Sequence, residues 1–147
     1  MIEEITAKNF SRYGWVIEYP QRRSASSKIN LFRIVLRERK KSGWRIAYLV
    51  VRDKQLNRLE QHPGSYESFE PVRGRSILFV ATAKDETKIK AFYLDVPIIL
   101  RKGIWHGIIT CGKETDVKIS ENANVQCVYW KLSHPLSRYA DRAVERR

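Results

Sequence analysis

The sequence predicts an all-β fold, a single sandwich or barrel that ends in a short C-terminal helix. Two patterns carry this reading. Short apolar, β-branched runs recur at near-regular spacing, each bounded by Gly or Pro turns. Long amphipathic helical periodicity is missing before residue 134. A length of 147 residues gives one domain with room for a proper core. We place the β domain at 1–133 and a basic helical tail at 134–147.

The elements follow in chain order. Residues 2–12 form a short approach strand or turn. Trp15 to Tyr19 form a strand that Pro20 stops, because proline has no amide hydrogen for a ladder. The Ser-rich run QRRSASSKI is a loop. INLFRIVLRE, 29–38, alternates with Phe32, Ile34 and Leu36 on one face. GWRIAYLVVRD, 43–53, is another strand, and the short basic turn between the two runs suggests an antiparallel hairpin. Leu59 to His62 form a strand that ends at Pro63-Gly64. Ser68 to Pro71 begin the next, and Gly74 turns the chain.

Ser76 to Ala81 form a buried strand. Ala83 to Thr87 form a charged loop, and Lys88 to Leu94 alternate charged and apolar groups. Val96 to Leu100 are apolar. Lys102-Gly103 turn the chain into Ile104-Trp105-His106, and Ile108 to Cys111 continue that strand. Val117 to Ile119 form a short strand, and Val125 to Leu132 the last strong one. His134-Pro135 then open the tail, and His134 is a surface residue.

The totals exclude several classes. Apolar residues make up 43% and charged residues 30% of the chain, a globular rather than a disordered composition. No apolar run approaches the roughly 18 residues of a membrane span. The first residues lack the apolar block of a signal peptide, so a cytoplasmic location is the expectation. The net charge is +12, from 28 Lys and Arg against 16 Asp and Glu. Such an excess favours anionic partners. The basic residues are scattered, without a recognition helix or zinc-finger spacing, so nucleic acid is not the expected partner. Cys111 and Cys127 lack CxxC spacing and read as two reduced core thiols. Trp15, Trp44, Trp105 and Trp130 read as core or pocket wall.

The chemistry concentrates between Leu59 and Gly74, LEQHPGSYESFEPVRG. Residues i and i+2 of a strand face the same side, so Glu60 and His62 point into one space. Glu67 follows. RKGIWHGI places His106 on a second strand, with Trp105 facing the opposite side. If both segments line one barrel, two imidazoles and up to two carboxylates converge, a set that holds a divalent metal or handles protons. Glu60 has an alternative as an ion-pair partner of Arg58 or Arg73, Glu67 as a solvated turn residue, and Lys102 as an exposed turn lysine.

Glu60 and His62, then Glu67 and Gly74, resemble the first cupin motif. Gly103-Ile104-Trp105-His106 resemble the second. A narrower resemblance, to the ureidoglycolate lyase (ureidoglycolate hydrolase) family, rests on four phrases. These are Phe10 with Tyr13-Gly14 through Val16-Ile17-Glu18, Leu59-Glu60-Gln61-His62-Pro63, Phe69-Glu70-Pro71, and Lys102 through Trp105-His106. That family has Gln at the position of Glu67 and usually a second His at that of Gly107, so this chain departs from it twice.

The resemblance implies a single cupin jelly-roll barrel (a double-stranded β-helix), with His62, Glu67, His106 and Glu60 as ligands of a divalent metal such as Ni, Mn, Fe, Co or Zn. It implies a carbon–nitrogen lyase that releases urea and glyoxylate from a small ureido or hydroxy acid, with Glu60 and His106 moving protons and Lys102 anchoring the substrate carboxylate. It also implies a homodimer. The alternatives are a metal- or small-ligand-binding cupin of other function (a sugar or small-acid binder, an isomerase or a dioxygenase) and, in a different class, a basic nucleic-acid-binding module.

Overall fold

The computed structural model describes residues 1–19 and 30–138, which carry eleven strands in two sheets. They are β1 (Ile2–Glu4), β2 (Gly14–Val16), β3 (Trp44–Val51), β4 (Gln55–Gln61), β5 (Glu67–Arg73), β6 (Ser76–Ala81), β7 (Lys90–Tyr93), β8 (Ile98–Leu100), β9 (Trp105–Thr110), β10 (Thr115–Asn122) and β11 (Val128–Ser137). One sheet has the order β1-β7-β6-β9-β4-β11 and the other β2-β8-β5-β10-β3. From β3 to β10, every consecutive pair except β6–β7 crosses from one sheet to the other. That order, β7-β6-β9-β4 facing β8-β5-β10-β3, is the jelly roll of two Greek keys. No helix among the described residues is long and apolar enough to cross a membrane.

Alternation along the strands builds the core. Leu78 and Val80 of β6, Phe69 of β5 and Val117 and Ile119 of β10 meet between the sheets, with Phe10, Phe92 and Leu94 filling one end. The opposite face of β6 and β9 is also covered. Ile77, Phe79, Ala81, Trp105 and Ile109 pack there with Leu59 and Leu132 in a second apolar cluster. This explains why β6 is buried along its whole length, and why its sequence does not alternate.

Several expectations need correction. Residues 30–43 join no sheet, and the expected hairpin with β3 does not form. β3 pairs instead with β10, from Trp44↔Asn122 to Val51↔Thr115, which lays Ala47, Leu49 and Val51 against the core. The preceding segment is tied by side chains, Arg33 Nη1 donating to Glu18 O at 2.7 Å and Lys102 Nζ meeting Glu38 Oε2 at 2.6 Å. β10 is longer than expected, since it spans the full length of β3. β11 runs through His134 and Pro135 to Ser137, past the expected boundary at 133. It is an edge strand whose register shifts between Lys131 and Leu136, and proline is tolerated in such a place. Residues 21–29, expected as a loop, and the tail helix from 139 onward lie outside the described residues.

Trp44 is 75% exposed on the outer face of β3 and is not core. Cys127 is exposed and Cys111 half-buried, so neither is a fully buried core thiol. His134 is exposed as expected.

Candidate metal centre

Four features bring the site together. Pro63 stops β4 just after His62, so His62 stands at the strand end with its carbonyl free of the ladder. Gly103 adopts φ 77°, a backbone that side-chain-bearing residues rarely take, and its N–H donates to His62 O at 3.0 Å. That single bond fastens the turn before β9 to the end of β4. β9 then pairs with β4 at Glu60↔His106. β5 opens on Glu67 from the opposite sheet, facing Leu100 on one side and Glu121 on the other.

The result is a compact buried set. Glu67 Oε2 lies 3.2 Å from His62 Nε2 and 3.0 Å from His106 Nε2, and the three side chains are 6% exposed or less. The imidazole centroids are 5.2 Å apart, and Phe69 packs edge-on to His106 at 5.6 Å. Each ring is oriented by a backbone carbonyl. His62 Nδ1 is 3.1 Å from Gln126 O, and His106 Nδ1 is 2.9 Å from Ile104 O. A carbonyl accepts only, so both Nδ1 atoms carry protons and both Nε2 atoms turn toward Glu67.

Electrostatics follow from this crowding. Burial pushes the His62 imidazole down, but the Glu67 carboxylate outweighs it and raises the group to about 9. His106 moves up from the same opposition of burial and Glu67. Burial pushes Glu67 up, and the two imidazoles overcome it and hold the carboxyl at about 2.

Despite their closeness, Glu67 Oε2 and His106 Nε2 make no properly aligned hydrogen bond, and both are buried. Their ion pair is held at close range without the alignment that a good hydrogen bond requires. Once the two Nε2 protons are displaced, two imidazole nitrogens and a carboxylate oxygen this close together form a donor set that suits a divalent ion. His62, Glu67 and His106 each offer a donor within 4.8 Å of the others, so the residues present fit a metal.

The other expected site residues fall around this set. Glu60 Oε1 is 3.8 Å from His106 Nε2, with the side chain 38% exposed. Neither alternative partner claims Glu60. Arg73 is held by Glu114 and Asp116, and the Arg58 guanidinium lies 4.2 Å from the centre of the Tyr129 ring. A cavity of about 210 Å³ is lined by Glu60 and His106 with Arg58, Ile108 and Tyr129. Lys102 is engaged by Glu38 and lies 4.8 Å from the centre of the Tyr66 ring. Trp105 faces away from His106 and packs on Trp130, as expected. At Gly107 a Cβ would sit 2.6 Å from Leu56 Cδ1 and 3.0 Å from Leu59 Cδ2, so a histidine there would require both leucines to move.

No protein-family model matches the chain, and no curated protein does. Solved structures of Bacillus subtilis oxalate decarboxylase are similar to it. The structure at pH 4.6 has 15% identity and a TM-score of 0.47, and one from a study of that enzyme's Mn(II) centres has 17% and 0.46. Each match covers 62% of this chain, which spans only 24% of that enzyme's length. The fold is a jelly roll of two Greek keys, read from the strand order alone.

Sequence reasoning missed Glu121. It is cross-strand from Glu67, its side chain is 6% exposed, and Arg45 Nη2 binds its Oε1 at 2.7 Å. Burial raises its carboxyl despite Arg45, and Oε2 has no hydrogen-bond partner. The available signal was alternation, since Val117, Ile119 and Glu121 share one face. The missed feature at the mouth is Cys127, which shares a second donor cluster with Glu60 and His62.

Proposed function

We propose that this chain is a metal-dependent cupin acting on a small acidic molecule, with the ion held by His62, Glu67 and His106. The observation that carries the reading is the buried convergence of His62 Nε2, His106 Nε2 and Glu67 Oε2, with the carboxylate oxygen 3.2 and 3.0 Å from the two nitrogens. Two imidazoles and one carboxylate leave coordination positions open and suit Mn, Fe, Co, Ni or Zn. A bound ion supplies Lewis acidity toward a carboxylate or hydroxyl oxygen. Glu60, beside His106 and partly exposed, is the group placed to take a proton. Arg58 in the same cavity and the net charge of +12 favour an anionic substrate.

The finer reading, a ureidoglycolate-type carbon–nitrogen lyase, is supported by the sequence resemblance and by Glu60. In that reaction Glu60 takes the hydroxyl proton, the carbonyl forms as the carbon–nitrogen bond breaks, and the departing urea nitrogen receives the proton. Lys102 is paired with Glu38, so for it to anchor the substrate carboxylate that pair would have to open. We also assign a second copy of the chain to the β3 edge, where Trp44, Ile46, Tyr48 and Val50 form an exposed apolar row. Sedimentation of a Trp44→Lys variant as a monomer, against a dimeric parent, tests that assignment.

The test of the main proposal is elemental analysis of the purified protein beside a His62→Ala/His106→Ala variant. A stoichiometric divalent ion in the parent and none in the variant is expected. An ion retained by the double variant overturns the site. Urea and glyoxylate release from ureidoglycolate, abolished by EDTA, is expected for the finer reading. Neither product under any metal supply ends it.

A further inference from the structure

The mouth of the site carries a donor that the proposed metal set does not use. Glu60, His62 and Cys127 each place one ligand atom within 4.8 Å of the others. Cys127 is a free, exposed thiol. It follows Gln126, whose carbonyl orients the His62 ring, and it comes just before β11, which pairs with β4 at Tyr129↔Glu60. The backbone that fixes the His62 ring therefore also fixes where the sulfur stands.

His62 belongs to both clusters, and this constrains what they can be. With Nδ1–H directed at Gln126 O, the ring has one lone pair to give. One lone pair serves one ion at a time, so the clusters are alternative positions for an ion. They differ in softness. The inner position offers two nitrogens and an oxygen, all buried. The outer one offers nitrogen, oxygen and sulfur, with two of its three residues reachable from solvent. Thiolate selects thiophilic ions, whereas oxygen and nitrogen alone serve harder ones.

We propose that Cys127 is a metal ligand, and that Glu60, His62 and Cys127 form an outer position which captures thiophilic divalent ions such as Co²⁺, Zn²⁺ or Cd²⁺ in preference to the inner one. As the sulfur–metal bond forms, the thiol proton passes to solvent and no redox change occurs. Mn²⁺, with little affinity for thiolate, stays at the inner position. This inference rests on the metal-binding reading above, since both positions use His62.

Cobalt separates the two. The metal-stripped full-length chain is titrated with Co²⁺, following the visible ligand-field bands and the near-ultraviolet thiolate-to-cobalt charge-transfer band. Both are expected in the parent. Cys127→Ser is expected to lose the charge-transfer band and keep ligand-field bands, while Cys111→Ser keeps both. In parallel, alkylation of Cys127 by iodoacetamide, read by mass spectrometry, is expected to be blocked by Cd²⁺ and unaffected by Mn²⁺. Ligand-field bands without charge transfer in the parent, or charge transfer surviving in Cys127→Ser, overturns the role of Cys127 and leaves the inner site standing. No cobalt spectrum of either kind overturns both.

Discussion

Glu67 is the residue on which the site turns, because one carboxylate oxygen lies within 3.2 Å of two imidazole nitrogens. Without a metal, that arrangement is a buried charge cluster, and its pH dependence has a definite sign. His62 is raised from 6.5 to about 9 in the folded chain. Its contribution to stability is therefore complete below about 6.5 and is lost as pH rises through about 9. Glu67 is lowered from 4.5 to about 2, so its contribution is complete above about 4.5 and is lost as pH falls through about 2. Denaturant unfolding of the stripped protein is expected to show greatest stability between these limits, with a falling limb above neutrality that flattens in His62→Ala. An unchanged limb in that variant would contradict the charge cluster. Metal affinity is expected to move the other way, strengthening as pH rises toward 9, since binding displaces the protons.

The element that matters most is the turn at Lys102-Gly103. Its left-handed glycine carries both the reversal into β9 and the hydrogen bond to His62 O. Alanine at Gly103 forces a side chain into that conformation at about 1–2 kcal/mol. Gly103→Ala is expected to lower stability by that amount in denaturant titrations and also to weaken metal affinity. A stability loss with metal affinity unchanged would show that the turn does not set the site's geometry.

At the same scale, sequence patterning gave mixed returns for physical reasons. His62, Glu67, Gly103 and His106 were legible because Pro, Gly and i, i+2 spacing act within a few residues. The partner of β3 was not, because alternation reports that a face is buried and says nothing of which distant strand sits alongside. Residues 29–38 have the alternation of a strand, yet those from 30 onward are held by side-chain ties from Arg33 and Glu38 rather than by a ladder. Pro135 read as an end to β structure, although an edge strand with a register shift accommodates it. Cys127 and Trp44 look like core residues by type and are not, since their burial depends on neighbours that sequence alone does not supply.

Across the whole molecule, the jelly roll explains how residues so far apart in sequence meet. β4 and β9 are neighbours in one sheet, and β5 faces them from the other, so the roll itself sets Glu67 against His62 and His106. An ion bound there fastens the two sheets to each other. At a free concentration 100 times its Kd, it is expected to stabilise the fold by about 2.7 kcal/mol. Thermal unfolding with and without added metal measures this, and the shift is expected to vanish in Glu67→Ala. A shift that survives in Glu67→Ala would place the stabilising ion elsewhere.

The most direct test is anomalous diffraction from crystals of the chain loaded with Mn²⁺. A single strong peak is expected within coordination reach of His62 Nε2, His106 Nε2 and Glu67 Oε2 together. A map with the ion bound elsewhere, or with the two imidazoles not sharing it, would contradict the account.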